Sequence, residues 1–229
     1  MSEKIYKASV TGIDGSGKTT TVHAVASMLG KTFSIGVLAS LSEPSYVVRR
    51  GEQTVLFPDL ASKVLALYEN GQEHHNPLAL FAAFLSHIFV QGRVIEPYII
   101  KNYDPDYLVQ DRHRQIDSVI MSHFYWLGGI PSRAIVSMVE AVGGKGIVDD
   151  VVLLTVSPET ASLRVKRKTT SDYHESIENL KRIANLYPAV ITQLALLGRI
   201  NTWTCIDSEI NPPTMVSHAI YSRWTNRKV

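Results

Sequence analysis

The chain has 229 residues, 45% of them hydrophobic, which is enough to bury a full core, and we predict a single α/β domain over residues 1–229. Its formal net charge of +2 is too small and dispersed to indicate a polyanion-binding surface by itself. Small phosphorylated ligands would suit this charge.

The cysteine count and the amino terminus indicate the compartment. Cys205 is the only cysteine, so an intramolecular disulfide is excluded, and its apolar, strand-like surroundings predict a buried, unreactive thiol. The start MSEKIYKASV leads into a strand pattern without the apolar segment of a signal peptide, and the longest apolar run, LALFAAFLSHIFV, is too short to span a membrane. We therefore expect a soluble, cytoplasmic protein.

In chain order, short β-branched or aromatic runs alternate with helical patterns. The predicted strands are residues 6–11, 35–40, 107–110, 151–156 and 202–206. Asn76 and Pro77 predict the start of a long helix that Pro97 ends or kinks, and Ser157 with Pro158 predicts another. This alternation predicts an α/β fold with a five-stranded parallel sheet and helices on both faces.

A glycine-rich turn follows the first predicted strand. The stretch GIDGSGKT, residues 12–19, fits G-x-x-x-x-G-K-[ST] and precedes a predicted helix, as that motif requires. Such a loop points its N–H groups at phosphate oxygens, its lysine reaches the β- and γ-phosphates, and its threonine takes a Mg²⁺ position. The alternative is a turn that caps the helix without a ligand. We predict ATP and Mg²⁺ as cofactors, bound by Gly12, Asp14, Gly15, Ser16, Gly17, Lys18, Thr19 and Thr20.

Two further segments carry charges suited to a phosphate site. Asp111 and Arg112 end a predicted strand, where an aspartate can orient Mg²⁺-bound water and an arginine can clamp a phosphate; the alternative is an exposed pair in a loop. The run RVKRK, residues 164–168, opens a polar segment that we interpret as a lid over the nucleotide, approximately residues 164–176. A solvated helix face or a weak nucleic-acid patch remains an alternative.

Together these motifs resemble the thymidylate kinase family of P-loop nucleoside monophosphate kinases. The resemblance continues through SEP at residues 42–44, LFAAF in the long helix, Asp111-Arg112-His113, the segment VSPETASLRVKRK, and Tyr187 after a charged helix. It implies that Lys18 and Thr19 handle ATP and Mg²⁺. It also implies that Asp14 faces the acceptor nucleotide, that Arg112 holds the acceptor phosphate, that Arg164 or Arg167 supplies lid charge, and that the protein is a homodimer.

The acceptor half departs from the family pattern. Phe84 and Leu85 stand where the family has Asp-Arg, Ser42 replaces an arginine, and the usual aromatic-Gln pair after Asp111 is missing. We therefore keep three hypotheses: a kinase for dTMP, which leads; a kinase for another nucleotide, a nucleoside or a small metabolite; and a nucleotide-binding module without transfer. A polynucleotide partner is a weaker rival.

Overall fold

The computed structural model describes residues 4–41, 43–74, 77–125, 131–166 and 176–228. The strands are β1 (Tyr6–Thr11), β2 (Ile35–Leu38), β3 (Tyr46–Arg49), β4 (Glu52–Val55), β5 (Tyr107–Asp111), β6 (Val148–Thr155) and β7 (Ile200–Asp207). The helices are α1 (Lys18–Leu29), α2 (Pro58–Glu73), α3 (Pro77–Phe89), α4 (Glu96–Tyr103), α5 (Arg114–Tyr125), α6 (Ser132–Gly143), α7 (Pro158–Val165), α8 (Ile177–Leu196) and α9 (Pro213–Lys228).

The strands form one seven-stranded sheet in the order β4-β3-β2-β5-β1-β6-β7. The five predicted strands are present and pair in parallel, with β1 between β5 and β6. The predicted number of strands is nevertheless wrong, because β3 and β4 add an antiparallel hairpin beside β2. Since β1 and β5 are neighbours, the segments that follow these two strands meet at the same edge of the sheet.

The missed hairpin has a weak sequence signal. Arg50 and Gly51 form its two-residue turn with φ of 53° and 82°, which is the left-handed conformation that two-residue hairpin turns require. Arginine seldom occupies this conformation, so the usual Asn-Gly or Asp-Gly signature is missing. All four residues of β4, EQTV, are exposed, which gives this edge strand no apolar pattern to recognise.

Helices cover both faces of the sheet. On one face α1 and α9 pack on the central strands, and Trp224 of α9 is fully buried there. On the other face α5, α6 and α8 form the larger core cluster. The prediction that Ser157 caps a helix is confirmed, since its side chain accepts a hydrogen bond from the Thr160 backbone N–H.

The long helix predicted from Pro77 to end or kink at Pro97 does not end there, but its regular α-helical part is interrupted just before that residue. A π-helical segment, Val90–Ile95, joins α3 to α4. The stretch Ala79–Tyr103 is long and apolar enough to cross a membrane by length and composition alone. Core helices of soluble proteins have the same length and composition, so this stretch does not by itself indicate a membrane span. In this structure 39% of its most apolar window is buried, and Ile88, Ile95 and Ile99 of the stretch pack against the rest of the chain.

The burial of Cys205 differs from the prediction, and the burial of His113 determines its protonation. Cys205 is exposed rather than buried, because β7 is an edge strand. His113 is fully buried: its Nδ1 accepts from the Ile116 backbone N–H and its Nε2 lies 3.2 Å from the Gly146 carbonyl oxygen. Burial and the nearby Arg114 charge lower the pKa of His113 to about 3, so the ring is neutral and Nε2 carries its proton.

Candidate active site

The glycine-rich loop connects β1 to α1 and lies against the ends of β6 and α7. A Cβ placed on Gly12 would lie 2.4 Å from the Leu154 carbonyl oxygen. At Gly15, which has a φ of 80°, a Cβ would lie 2.4 Å from the Ala161 carbonyl oxygen. Only glycine permits such close approach, so the loop backbone is held in a curled path at the start of α1.

Lys18 is the buried cation of this loop. Its side chain is 5% exposed, and Nζ donates to the Ile13 carbonyl oxygen over 2.7 Å and lies 3.5 Å from Asp14 Oδ1. Burial, followed by the charge of Arg112, lowers the pKa of Lys18 to about 8. The lysine is therefore charged at neutral pH, but the nearby carboxylates do not fully compensate for the burial of its charge. A bound phosphate would supply the further negative charge.

Thr19 and Asp111 come together at the carboxyl edge. The Thr19 hydroxyl donates to Asp111 Oδ2 over 2.7 Å, which joins the first turn of α1 to the end of β5. Asp111 Oδ1 is buried without a hydrogen-bond partner among the described residues, and so is the hydroxyl of Ser16. A hydroxyl and a carboxylate oxygen are ligands that Mg²⁺ prefers, and the unpartnered oxygen suits a missing ligand, so these residues fit the predicted metal.

Arg112 directly follows β5 and has a φ of 76°, an uncommon value for a residue with a side chain. Its backbone N–H donates to the Val10 carbonyl oxygen over 3.0 Å. One terminal nitrogen pairs with Asp14, and the other lies 3.6 Å from Asp117 Oδ1. Burial disfavours the guanidinium charge, but the two carboxylates outweigh this and raise the pKa of Arg112 above its ordinary value.

Asp117 and Tyr187 complete this cluster. Asp117 lies in the first turn of α5 and accepts from Thr11 Oγ1 over 3.2 Å. The Tyr187 hydroxyl lies 2.8 Å from Asp117 Oδ1 and 2.8 Å from the Gly12 carbonyl oxygen. Burial raises the pKa of Asp117, and the charge of Arg112 opposes this effect. Tyr187 therefore links α8, the glycine-rich loop and the Asp117–Arg112 pair.

Arg164 is the first residue of the predicted lid and lies within the described part of the chain. It lies near the end of α7, where one terminal nitrogen donates to the Gly15 carbonyl oxygen over 3.2 Å and the other to the Ser208 carbonyl oxygen over 3.0 Å. Its charge is thus placed beside the glycine-rich loop. Arg167 and most of the predicted lid lie outside the described residues.

A second polar group stands between α1 and the segment before β3. His23 Nε2 lies 2.8 Å from Glu43 Oε2, and His23 Nδ1 lies 2.8 Å from the Tyr46 hydroxyl. The His23 and Tyr46 rings stack with a centroid distance of 5.3 Å. Burial, followed by the charges of Glu43 and Asp111, raises the pKa of Tyr46 above its ordinary value. This group therefore lies within electrostatic reach of the Thr19–Asp111 pair.

The structure brings most of the predicted site residues together. Lys18, Asp14 and Arg112 are in direct contact, as are Thr19 and Asp111, whereas Thr20 is exposed on the first turn of α1. No described group of three or more His, Cys, Asp or Glu side chains could hold a metal, so a cation there would need hydroxyl or phosphate oxygens as well. Sequence reasoning missed Asp117. It could have been recognised as an acidic residue in the first turn of the helix that follows Asp111-Arg112.

Comparisons with known proteins bear on the fold. The sequence gave no match to any protein-family model and no significant match among the curated proteins. Among solved structures, the chain is similar to that of a deoxyadenosine kinase from M. mycoides with the products dCMP and a flexible dCDP bound. The TM-score is 0.63 at 15% sequence identity, and the match covers 96% of this chain and 99% of the other. The chain thus shares the α/β fold of that kinase, with a mostly parallel sheet in this chain.

Proposed function

We propose that this chain is an ATP- and Mg²⁺-dependent phosphotransferase that acts on a nucleoside or a nucleoside monophosphate. The observation that carries the proposal is the glycine-rich loop after β1, with buried Lys18 inside it and the Thr19–Asp111 pair beside it. A bare helix cap requires neither a buried cation with a lowered pKa nor an unpartnered carboxylate oxygen. The shared fold with a deoxyadenosine kinase supports the same chemistry.

The described residues suit the charge changes of phosphoryl transfer. An acceptor oxygen attacks the γ-phosphorus, the bond to the β–γ bridging oxygen breaks, and ADP leaves. An acceptor hydroxyl loses a proton in this step, whereas an anionic phosphate oxygen does not. In this proposal Lys18 and Arg164, which lie at the glycine-rich loop, would bind the phosphates of ATP, and Thr19 with Asp111 would hold Mg²⁺, which when bound neutralises phosphate charge.

Two acceptor classes follow from different observations. The resemblance of the sequence to thymidylate kinases implies dTMP, with Arg112 on its phosphate. The structural neighbour is named for a nucleoside, deoxyadenosine, as substrate. A cytoplasmic location and a homodimer, both expected from the sequence, stay predictions.

A second candidate is a nucleotide-binding module that does not transfer phosphate. The contacts of Arg112 favour it, because both terminal nitrogens of the guanidinium face carboxylates of the chain itself. Such a protein would bind ATP without turnover on any acceptor.

The test is ADP release with ATP and Mg²⁺ across the deoxynucleosides, the ribonucleosides and their 5′-monophosphates. We expect turnover with at least one acceptor, and loss of that turnover in Lys18→Met. Lys31→Met removes an exposed lysine just after α1 and is the matched control. Binding of ATP with no turnover on any acceptor would favour the binding module, and undiminished transfer by Lys18→Met would refute the proposal.

A further inference from the structure

The inference concerns the acceptor end of the site and rests on the proposed function. A bidentate phosphate clamp needs two guanidinium N–H groups directed at the same phosphate. In Arg112 one terminal nitrogen pairs with Asp14, and the other faces Asp117 at 3.6 Å. An acceptor phosphate would therefore have to compete with two carboxylates of the chain for the charge of this guanidinium.

Asp117 is held firmly in this position. It is 8% exposed, Thr11 donates a hydrogen bond to one carboxylate oxygen, and the Tyr187 hydroxyl lies 2.8 Å from the other. The Tyr187 hydroxyl also reaches the Gly12 carbonyl oxygen, which connects Asp117 to the start of the glycine-rich loop. A phosphate that drew Arg112 away would leave this buried carboxylate without its cation, which is an expensive arrangement in a protein interior.

The charges around Arg112 also disfavour an acceptor phosphate. Asp14, Asp117 and Asp111 are the carboxylates whose charges act on Arg112, so the guanidinium lies in an anionic setting. His87, which also lies near Arg112, adds no positive charge, because burial and Arg112 lower its pKa to about 4. Lys18, whose Nζ lies 3.5 Å from Asp14 Oδ1, offsets part of this negative charge. A second phosphate brought into this cluster would still face three carboxylates against the two cations Arg112 and Lys18, whereas an uncharged hydroxyl would not be repelled.

We propose that Asp117 determines acceptor selectivity, and that by pairing with Arg112 it directs the site to acceptors whose reacting end is an uncharged hydroxyl and against acceptors that carry a phosphate there. The acceptor class is thus a nucleoside with a free 5′-hydroxyl. The hydroxyl oxygen forms the bond to the γ-phosphorus, its proton passes to water, the bond from the γ-phosphorus to the β–γ bridging oxygen breaks, and ADP leaves with that oxygen.

The experiment measures selectivity rather than activity. Thymidine, deoxyadenosine, deoxycytidine and deoxyguanosine are each compared with their 5′-monophosphates, by kcat/KM with MgATP and by calorimetric Kd with MgADP. For the wild-type protein we expect every detectable acceptor to be a nucleoside rather than its monophosphate. Asp117→Asn should change the ratio of the two kcat/KM values towards the monophosphate by at least about tenfold.

Tyr187→Phe is the matched control, because it removes a hydrogen bond from the same cluster and leaves the Asp117 charge in place. We expect its kcat/KM to fall with every acceptor and its selectivity ratio to stay within about threefold of the wild type, because a merely structural disturbance affects both acceptor classes alike. Should Asp117→Asn fail to fold, Asp117→Ser and the wild-type ratio itself provide the same test.

The outcomes separate this inference from the proposed function. A wild-type preference for monophosphates, or an unchanged ratio in Asp117→Asn, would overturn the inference while leaving a phosphotransferase. Selective nucleoside binding without turnover would reject the proposed function and support the inference. Failure of every nucleoside and monophosphate to bind would reject both.

Discussion

Replacing Lys18 by methionine should make the protein more stable while it loses nucleotide binding. Lys18 is 5% exposed, and burial together with Arg112 lowers its pKa from 10.5 to about 8. Each pKa unit corresponds to about 1.36 kcal/mol, so the charged side chain costs about 3 kcal/mol in the folded chain relative to the unfolded chain. Methionine has a similar length and no charge to bury.

The expected gain is smaller than this cost. Methionine loses the hydrogen bond to the Ile13 carbonyl oxygen, which contributes about 1 kcal/mol, whereas Asp14 keeps its pairing with Arg112. The net stabilisation is therefore about 2 kcal/mol at pH 7, or a rise in Tm of about 4–8 °C for a chain of this size. Between pH 8 and 10.5 the unfolded chain binds more protons than the folded chain. The free-energy cost of burying charged Lys18 is therefore fully present below pH 8 and decreases as the pH rises.

Urea and thermal unfolding at pH 7 and pH 10 measure this difference. Lys18→Met should exceed the wild type by about 2 kcal/mol at pH 7 and by little at pH 10, and Lys31→Met should lie within about 0.5 kcal/mol of the wild type at both. Added MgADP should raise the Tm of the wild type and of Lys31→Met but not of Lys18→Met. A Lys18→Met protein less stable than the wild type at pH 7 would refute the reasoning that buried Lys18 is kept for a ligand.

Two further predictions concern buried His113 and the loop glycines. The folded pKa of His113, about 3, lies below its unfolded value, so the free energy of unfolding should fall as the pH drops below 6.5, by up to about 1.4 kcal/mol per pH unit from this ring. Between pH 6.5 and 4.5, the free energy of unfolding of His113→Gln should therefore fall by about 2–3 kcal/mol less than that of the wild type in urea titrations. An equal fall in the two proteins would contradict this. The control is His218→Gln, which replaces an exposed histidine and should follow the wild type. Gly15→Ala and Gly51→Ala place a Cβ at nearly equal φ, 80° and 82°, but only the first meets a neighbour, the Ala161 carbonyl oxygen. Gly15→Ala should be less stable than Gly51→Ala by about 1–3 kcal/mol, and equal stabilities would show that the loop does not depend on close contact with α7.

The sequence was most informative where local patterns decide the structure. The parallel strands and the glycine-rich loop were predictable because buried strands read as apolar runs, and because the loop chemistry is confined to eight consecutive residues. The hairpin of β3 and β4 was not, because its turn begins with Arg50 at positive φ and its outer strand is wholly exposed. Exposed Cys205 was missed because an edge strand has the same local composition as a central one.

The candidate site was predictable residue by residue but not as a network. Lys18, Thr19 and Asp111 follow from motifs; the structure joins Thr19 to Asp111 and puts Lys18 3.5 Å from Asp14, and the roles of these residues stay predictions. The pairing of Arg112 with Asp117 requires α5 to start at the carboxyl end of β5, and the contact with Tyr187 joins residues 70 positions apart. Long-range contacts of this kind carry no periodic signal, so the features of the acceptor side emerged only from the structure.

Phosphorus NMR of the wild-type protein with MgATP and an equimolar mixture of deoxynucleosides tests the central claim most directly. The account predicts loss of the γ-phosphate signal of ATP, with a matching new signal of a nucleoside phosphate monoester. A mixture in which ATP persists, or yields only inorganic phosphate, while the protein is folded and binds MgATP, would contradict it.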